Sequence, residues 1–201
     1  MSKAKRFNLL LVQTGSTEWD RQNRIVGGVD LPLAENAATV STATAVKPAI
    51  VICGPDECSQ TSAQNAAAAS GTKVRCLDGL ANVGMGLWEG MTLEELEERF
   101  PSAYRQWRER PDSISAPQGE SLGEAENRLT GQIHQAAMKL KGDNPVMMVV
   151  LRPMAYALVR TRLLGRSPAE LWDVLGSAPE GAESFEVEAG ALAPRPNRIS
   201  A

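Results

Sequence analysis

The chain has 201 residues, of which 43% are hydrophobic and 22% are charged, and its formal net charge at pH 7 is −3. This length suits one well-buried α/β domain, and the mildly acidic balance with scattered lysines and arginines argues against nucleic-acid binding. No apolar run approaches the roughly 20 residues that span a bilayer, so we expect neither a membrane segment nor a signal peptide and place the protein in the cytoplasm.

Cysteine and histidine usage limits the chemistry further. The chain has three cysteines, Cys53, Cys58 and Cys76, and one histidine, His134. An odd number of cysteines without metal-ligand spacing fits a reducing compartment better than a disulfide framework. We therefore predict no metal site and no cofactor.

The first predicted element is a strand at residues 9–12, an apolar run too short for a helix. The elements after it are predicted, in chain order, as a helix at 33–46, a strand at 49–53, a helix at 59–70, a strand at 73–77, a glycine-rich loop at 80–90, a helix from 92 through 100, a short helix from 101, an irregular segment at 110–119, a helix at 120–141, a strand at 145–151, a helix at 154–164 and an edge strand at 184–187. This alternation predicts a three-layer α/β/α fold with a doubly wound, mostly parallel sheet. We expect one domain at 1–192 and a tail at 193–201.

Two of the helices carry more specific signals. Thr92 and Glu95 have the spacing of a capping box, which predicts a helix start at that point. The helix at 120–141 is predicted to be amphipathic, with one face directed inward. The residues expected on that face are Leu122, Ala125, Leu129, Ile133 and Met138.

The segment QTGST at residues 13–17 marks a candidate site. It follows the first strand directly and changes from apolar to small and polar residues. Ligands of open α/β sheets bind at the carboxyl ends of the strands, so this position predicts a site on geometry alone.

Residues 11–33, LVQTGSTEWDRQNRIVGGVDLPL, resemble the opening of the histidine phosphatase (phosphoglycerate mutase-like) superfamily, which reads roughly L-V-R-H-G-E-T-x-W-N-x-x-x-R-x-Q-G-x-x-D-x-P-L. The matching positions are Gly15, Thr17, Trp19, Arg24, Gly27, Asp30, Pro32 and Leu33. Similar agreement recurs at 80–90, at 117–128 and at 149–164, so the resemblance covers nearly the whole chain. It implies the phosphoglycerate mutase-like α/β fold.

The residues that carry the superfamily's chemistry are different in this chain. In the superfamily, a histidine attacks phosphorus, two arginines hold the phosphoryl oxygens, an acid donates a proton, and a second histidine lies opposite. The corresponding residues here are, in that order, Thr14, Gln13 and Cys58, Asn82, and Arg152. The resemblance thus implies a remnant pocket without catalytic residues. The pocket residues it indicates are Gln13, Thr14, Gly15, Asp20, Arg24, Cys58, Asn82 and Arg152.

Asp20 stands where the superfamily has an asparagine, and its carboxylate opposes phosphate binding. We predict that Asp20 and Arg152 approach one another and partly fill the pocket. The favoured hypothesis is a catalytically inactive member of the superfamily with a binding, regulatory or assembly role, whose partner is another protein or a second copy of the chain.

Two alternatives stay open. One is a phosphatase with a rewired site that uses water or Cys58. The other is a small-ligand sensor in which Gln13, Thr14, Asn82 and Arg152 hold a neutral or singly charged molecule.

Structural roles are expected for several of the same residues. We expect Cys58 to be a structural cysteine and Arg152 to form an ion pair. We further expect His134 to be a surface or packing residue and Trp88 and Trp107 to anchor the core.

Overall fold

The computed structural model describes residues 5–37 and 47–195, and over these ranges strands and helices alternate as predicted. The strands are β1 (Arg6–Gln13), β2 (Ile50–Cys53), β3 (Val74–Cys76), β4 (Val146–Leu151) and β5 (Ala182–Glu188). The helices are α1 (Glu18–Arg21), α2 (Glu57–Ala68), α3 (Leu93–Arg99), α4 (Pro101–Glu109), α5 (Leu122–Met138), α6 (Pro153–Leu163) and α7 (Leu171–Gly176). In the described ranges, no helix is both long enough and apolar enough to cross a membrane.

The five strands form one sheet in the order β3-β2-β4-β1-β5. β4 lies in the middle and runs parallel to β1 on one side and to β2 on the other. β3 continues the parallel part beyond β2, while β5 closes the other edge antiparallel to β1. The mostly parallel sheet and the edge strand at 184–187 are thus confirmed.

Alternate side chains of the central strands pack into two hydrophobic cores, one on each face of the sheet. In β1, Leu9 and Leu11 point into the larger core, which is covered by α5 and α6, and Leu10 and Val12 point into a smaller core under α2. This two-residue period follows from the strand geometry. Because both faces of the sheet are covered, the sequence of β1 contains a continuous apolar run instead of alternating apolar and polar residues.

The predicted capping box at the start of α3 is confirmed. The Thr92 hydroxyl accepts a hydrogen bond from the Glu95 amide at 3.0 Å, and the Thr92 amide donates to the Glu95 carboxylate at 2.8 Å. The two bonds satisfy backbone donors that the helix cannot pair internally.

The predicted inward face of α5 is wrong at its last position. Met138 is 53% exposed, whereas Ala137 is fully buried. Ala137 lies four residues after the buried Ile133 and continues the same face of the helix, but Met138 lies five residues after it and turns outward.

The predicted helix at 33–46 is wrong over residues 33–37. Residues 33–37 have no regular secondary structure apart from a turn at 35–36, and the remainder of the predicted helix lies outside the described residues. The short helices α1 and α7 were not predicted.

The segment predicted as a tail begins with residues that contact the domain. The Arg162 guanidinium donates to the Ala193 carbonyl at 2.8 Å, and the Asn127 side-chain oxygen accepts from the Arg195 amide at 3.0 Å. Residues 196–201 lie outside the described ranges.

Candidate functional site

The candidate site lies where β1, β2 and β4 end. Gln13 pairs with Leu151 at the ends of β1 and β4, and the Thr14 amide donates to the Leu151 carbonyl at 2.9 Å. Thr14 and Arg152 therefore leave neighbouring strands side by side. This is the edge of the sheet at which the sequence predicted a site.

Arg152 is the charged centre of the site, and only 2% of its surface is exposed. Its Nη2 lies 3.0 Å from Asp20 Oδ2, and its Nη1 donates to the Cys58 sulfur at 2.9 Å. The predicted approach of Asp20 and Arg152 is confirmed. A buried guanidinium is stable only when it is paired and hydrogen-bonded, and both conditions are met here.

Asp20 is held in place by the turn that carries it. Its Oδ2 atom accepts hydrogen bonds from both the amide and the hydroxyl of Thr17, each at 2.6 Å, in addition to the bond from Arg152. Thr17 caps α1, and Asp20 occupies the third position of that helix. The capping box thus aims the carboxylate at the guanidinium.

Cys58 comes from the first turn of α2 and is 1% exposed. Its thiol donates to the Gly15 carbonyl at a sulfur–oxygen distance of 3.4 Å and accepts the bond from Arg152. Burial raises the pKa of the Cys58 thiol, and this effect outweighs the nearby Arg152 charge, which lowers it. A protonated thiol can donate and accept at once, which fits the structural role expected for Cys58.

Four buried oxygen atoms around this edge of the sheet have no hydrogen-bond partner within the described part of the chain. They belong to Thr14, Asp56, Ser59 and Asn82. Such atoms are uncommon in native interiors, and each has a physical cause such as local strain, a functional role or an ordered water or ion. The Thr14 hydroxyl lies beside the Cys58 thiol without meeting the geometry of a hydrogen bond.

The orientation of the Asn82 amide is fixed by its own hydrogen bonds. Its nitrogen donates to the Val26 carbonyl at 3.0 Å and to the Gly27 carbonyl at 3.1 Å. Its oxygen is therefore the atom left without a partner, and 8% of the residue is exposed. This oxygen can serve a ligand only as an acceptor.

The remaining predicted pocket residues lie in different surroundings. The Gly15 amide donates to the Ser62 hydroxyl at 3.1 Å, and Gln13 is half-buried at the end of β1. Arg24 turns away from Arg152, since its Nη1 donates to the Gly90 carbonyl at 2.6 Å and its Nε to the Gln22 side chain at 2.9 Å. The structure therefore gathers Thr14, Gly15, Asp20, Cys58 and Arg152, while Arg24 supports a neighbouring loop.

A second ion pair supports the loop that carries Asn82. Arg128 pairs with Glu120 and donates to the carbonyls of Gly79 and Ala81, the latter at 2.9 Å, as well as to the Asn82 carbonyl at 3.2 Å. Arg128 is the last residue of the segment 117–128 that resembles the superfamily, and no contact was predicted for it. The role of Thr17 was not predicted either, although Thr17 and Asp20 have the spacing of a capping box.

The only histidine of the chain lies on α5, where its Nδ1 atom is 2.7 Å from the Ala189 carbonyl. It packs between α5 and the turn after β5, as expected. The tryptophans are core anchors, because Trp88 and Trp107 are nearly buried and their rings contact edge to face at a centroid distance of 5.9 Å.

The fold, the strand-end site and the sequence together define the family. Residues 9–189 match the histidine phosphatase superfamily (branch 1), and the chain belongs to that superfamily. Phosphoserine phosphatase 1 of Hydrogenobacter thermophilus is 25% identical over 169 residues, which cover 82% of this chain and 79% of that protein.

Solved structures of other proteins have the same fold. YhfR of Bacillus stearothermophilus superposes with a TM-score of 0.80 at 20% identity, covering 92% of this chain and 93% of that one. A phosphoglycerate mutase from Bacillus anthracis gives a TM-score of 0.74 at 16% identity, with coverages of 93% and 90%. The phosphoglycerate mutase-like fold is thus confirmed.

Proposed function

We propose that this chain is a catalytically inactive member of the histidine phosphatase superfamily, with a binding, regulatory or assembly role in place of phosphoryl transfer. The observation that carries the proposal is the pairing of Arg152 with Asp20 at 3.0 Å. The guanidinium that would attract a phosphoryl group is already bound to an anion of the protein itself.

The absence of an activated nucleophile supports the proposal. The residue at the nucleophile position, Thr14, needs an adjacent base before its hydroxyl can attack phosphorus. Its near neighbour Cys58 has a raised pKa and engages Gly15 and Arg152. The one histidine of the chain, His134, lies on α5 and contacts the Ala189 carbonyl. No group is therefore placed to activate Thr14 in the described part of the chain.

The charge balance argues in the same direction. Arg152 and Asp20 together carry no net charge, so a dianionic phosphate monoester entering beside them gains little electrostatic attraction and must be desolvated. The curated relative is named as a phosphoserine phosphatase, but the resemblance places Gln13 and Cys58 at the two arginine positions of that family. A phosphate ester is thus a poor match to this pocket.

A second candidate function, a sensor for a small polar ligand, is favoured by the unpartnered oxygens of Thr14, Ser59 and Asn82. The Asn82 oxygen accepts only, and hydroxyl oxygens accept as readily as they donate. The matching ligand is a small neutral or singly charged molecule rich in N–H or O–H donors. Its binding would raise the melting temperature of the native protein by mass action.

The test is a phosphatase assay with a generic aryl phosphate over a wide pH range. The native chain is compared with a variant that carries Q13R, T14H, D20N, C58R, N82E and R152H. We expect no turnover by the native chain. Gain of turnover by a folded variant would show that only these side chains separate the chain from its active relatives.

If the multiple variant does not fold, two single substitutions still test the proposal. Turnover by the native chain that disappears in both T14V and R152Q would overturn the proposal. Turnover that survives both substitutions and still co-elutes with the chain on a further column would also overturn it, because Cys58 or water would then be the nucleophile. Circular dichroism of each variant confirms that the comparison is made between folded proteins.

A further inference from the structure

The two remaining cysteines lie opposite one another on neighbouring strands. Cys53 is the last residue of β2, Cys76 is the last residue of β3, and the two are register partners in this parallel pair. Their sulfur atoms are 3.8 Å apart. Register partners point to the same face of a sheet, so both thiols share one side of it.

The backbone separation is compatible with a covalent bond. Neighbouring strands lie about 4.8 Å apart. Disulfides join residues whose Cα atoms are roughly 4.4 to 6.8 Å apart. Side-chain rotation with a small strand adjustment can bring sulfurs now 3.8 Å apart into bonding distance.

The two thiols differ in access to solvent. Cys76 is exposed on β3, which forms an edge of the sheet, whereas Cys53 is fully buried. Burial, followed by the adjacent Cys76, raises the pKa of the Cys53 thiol. An external reagent can therefore reach Cys76 first, and Cys53 is within reach as the second sulfur.

From this geometry we propose that Cys53 and Cys76 form a redox-modification site that a small disulfide compound converts reversibly into an internal disulfide. Neither cysteine belongs to the group of residues around Arg152, and the proposal stands whether or not the protein is a phosphatase.

The chemistry is an ordinary thiol–disulfide exchange in two steps. The Cys76 thiolate attacks one sulfur of the small disulfide, forms a mixed disulfide and releases one small thiolate. The Cys53 thiol then loses its proton and attacks the Cys76 sulfur, which expels the second small thiolate. The protein loses two hydrogen atoms, and the reagent is reduced to two thiols.

The test treats the native protein with oxidised glutathione, followed by intact-mass measurement and peptide mapping. Wild type should lose two hydrogen atoms, with the bond mapped to Cys53 and Cys76, and dithiothreitol should restore both thiols. The C76S variant should form no internal bond, and because Cys76 is exposed this substitution should leave the fold intact. The C58S variant keeps the pair and serves as the matched control, which should be oxidised like wild type.

Three results would overturn the proposal. One is a stable mixed disulfide on Cys76 with no internal bond, and another is an internal bond that involves Cys58. The third is a Cys53–Cys76 bond that forms only when urea is added, because the native strands would then not allow it. Near-ultraviolet circular dichroism before and after oxidation distinguishes native from unfolded reactants.

Discussion

The carboxylate of Asp20 lies 3.0 Å from the guanidinium of Arg152, and this pair joins the first loop of the chain to the end of the central strand. The Arg152 side chain is 3% exposed and that of Asp20 is 25% exposed. The cation of the pair is therefore buried, and the anion is partly exposed to solvent. Substitutions at these two residues separate the effect of the ion pair on phosphate binding from its effect on protein stability.

Replacing Asp20 with asparagine should leave the Arg152 charge without its counter-ion. Breaking a fully buried pair costs about 3–5 kcal/mol. Because Asp20 is partly exposed and asparagine still accepts hydrogen bonds, we expect a loss of roughly 1–3 kcal/mol in urea unfolding. Inorganic phosphate should then raise the melting temperature of D20N more than that of wild type.

The double variant D20N/R152M is the control for this prediction. It removes both charges, so its response to phosphate should disappear. An equal response to phosphate in wild type, D20N and the double variant would show that the anion binds elsewhere.

Thr14 and Thr17 provide a matched comparison of two threonines in one loop. The Thr14 hydroxyl has no partner in the described structure, whereas the Thr17 hydroxyl bonds Asp20. We expect T14V to be neutral or stabilising by up to about 1 kcal/mol, because it removes a buried unpaired polar group. T17V should destabilise the protein by about 1 kcal/mol through loss of the cap. Urea denaturation of both variants tests the ranking.

A marked destabilisation by T14V would contradict this expectation. It would mean that the hydroxyl is partnered in solution, by an ordered water or by a ligand that copurifies with the protein. Native mass spectrometry of the wild type would then distinguish these two explanations.

Arg128 should not tolerate lysine, although the charge is conserved. Its guanidinium pairs with Glu120 and donates to the carbonyls of the loop that carries Asn82. A lysine ammonium cannot reproduce this fork, so we expect R128K to cost roughly 1–3 kcal/mol in unfolding free energy. The exposed Arg105 offers a control, and R105K should lie within about 0.5 kcal/mol of wild type. Similar unfolding free energies for R128K and R105K would contradict the role of Arg128 in holding the loop that carries Asn82.

The stability of the protein should fall in alkaline solution. Burial raises the pKa values of the Cys53 and Cys58 thiols above their ordinary value of 9.0, and it also raises the pKa of Tyr156. The folded state therefore keeps protons that the unfolded state releases, so stability is fully present below about pH 9 and declines as the pH rises further. Melting temperatures between pH 7 and pH 10.5 should show this decline (roughly, the range in which free thiols and phenols ionise).

The C58S variant tests the assignment of that decline, since serine does not titrate in this range. Its melting temperature should depend less steeply on pH than that of wild type. An identical slope would assign the effect to Cys53 and Tyr156 alone.

The sequence predicted β1, β2 and β4 well because these three strands are apolar runs that stand apart from polar turns. It also predicted the contact of Asp20 with Arg152, since the family frame brings both to one pocket and their charges are opposite. It could not predict that Cys58 accepts a hydrogen bond from Arg152, a contact between residues 94 positions apart. Nor could it place the side chain of Arg24, whose partner at Gly90 depends on how two loops pack.

The missed helices have a different physical explanation. α1 has four residues and α7 has six, and such short segments show too few turns for a hydrophobic period. They persist because of local caps and tertiary packing, as with the Thr17 cap and the burial of Leu171 and Val174. Isolated helices of this length are not stable in water.

The strand order has a consequence for how the chain is synthesised. Both sheet neighbours of β1, β4 and β5, lie in the last third of the chain. On the ribosome, the apolar β1 therefore emerges before β4 and β5. Its edges stay unpaired until residues 146–188 have been synthesised. Non-local pairing of this kind slows folding and exposes strand edges that promote aggregation. A nascent chain stalled before β4 should therefore depend on chaperones, because both edges of β1 stay unpaired until β4 and β5 have been made.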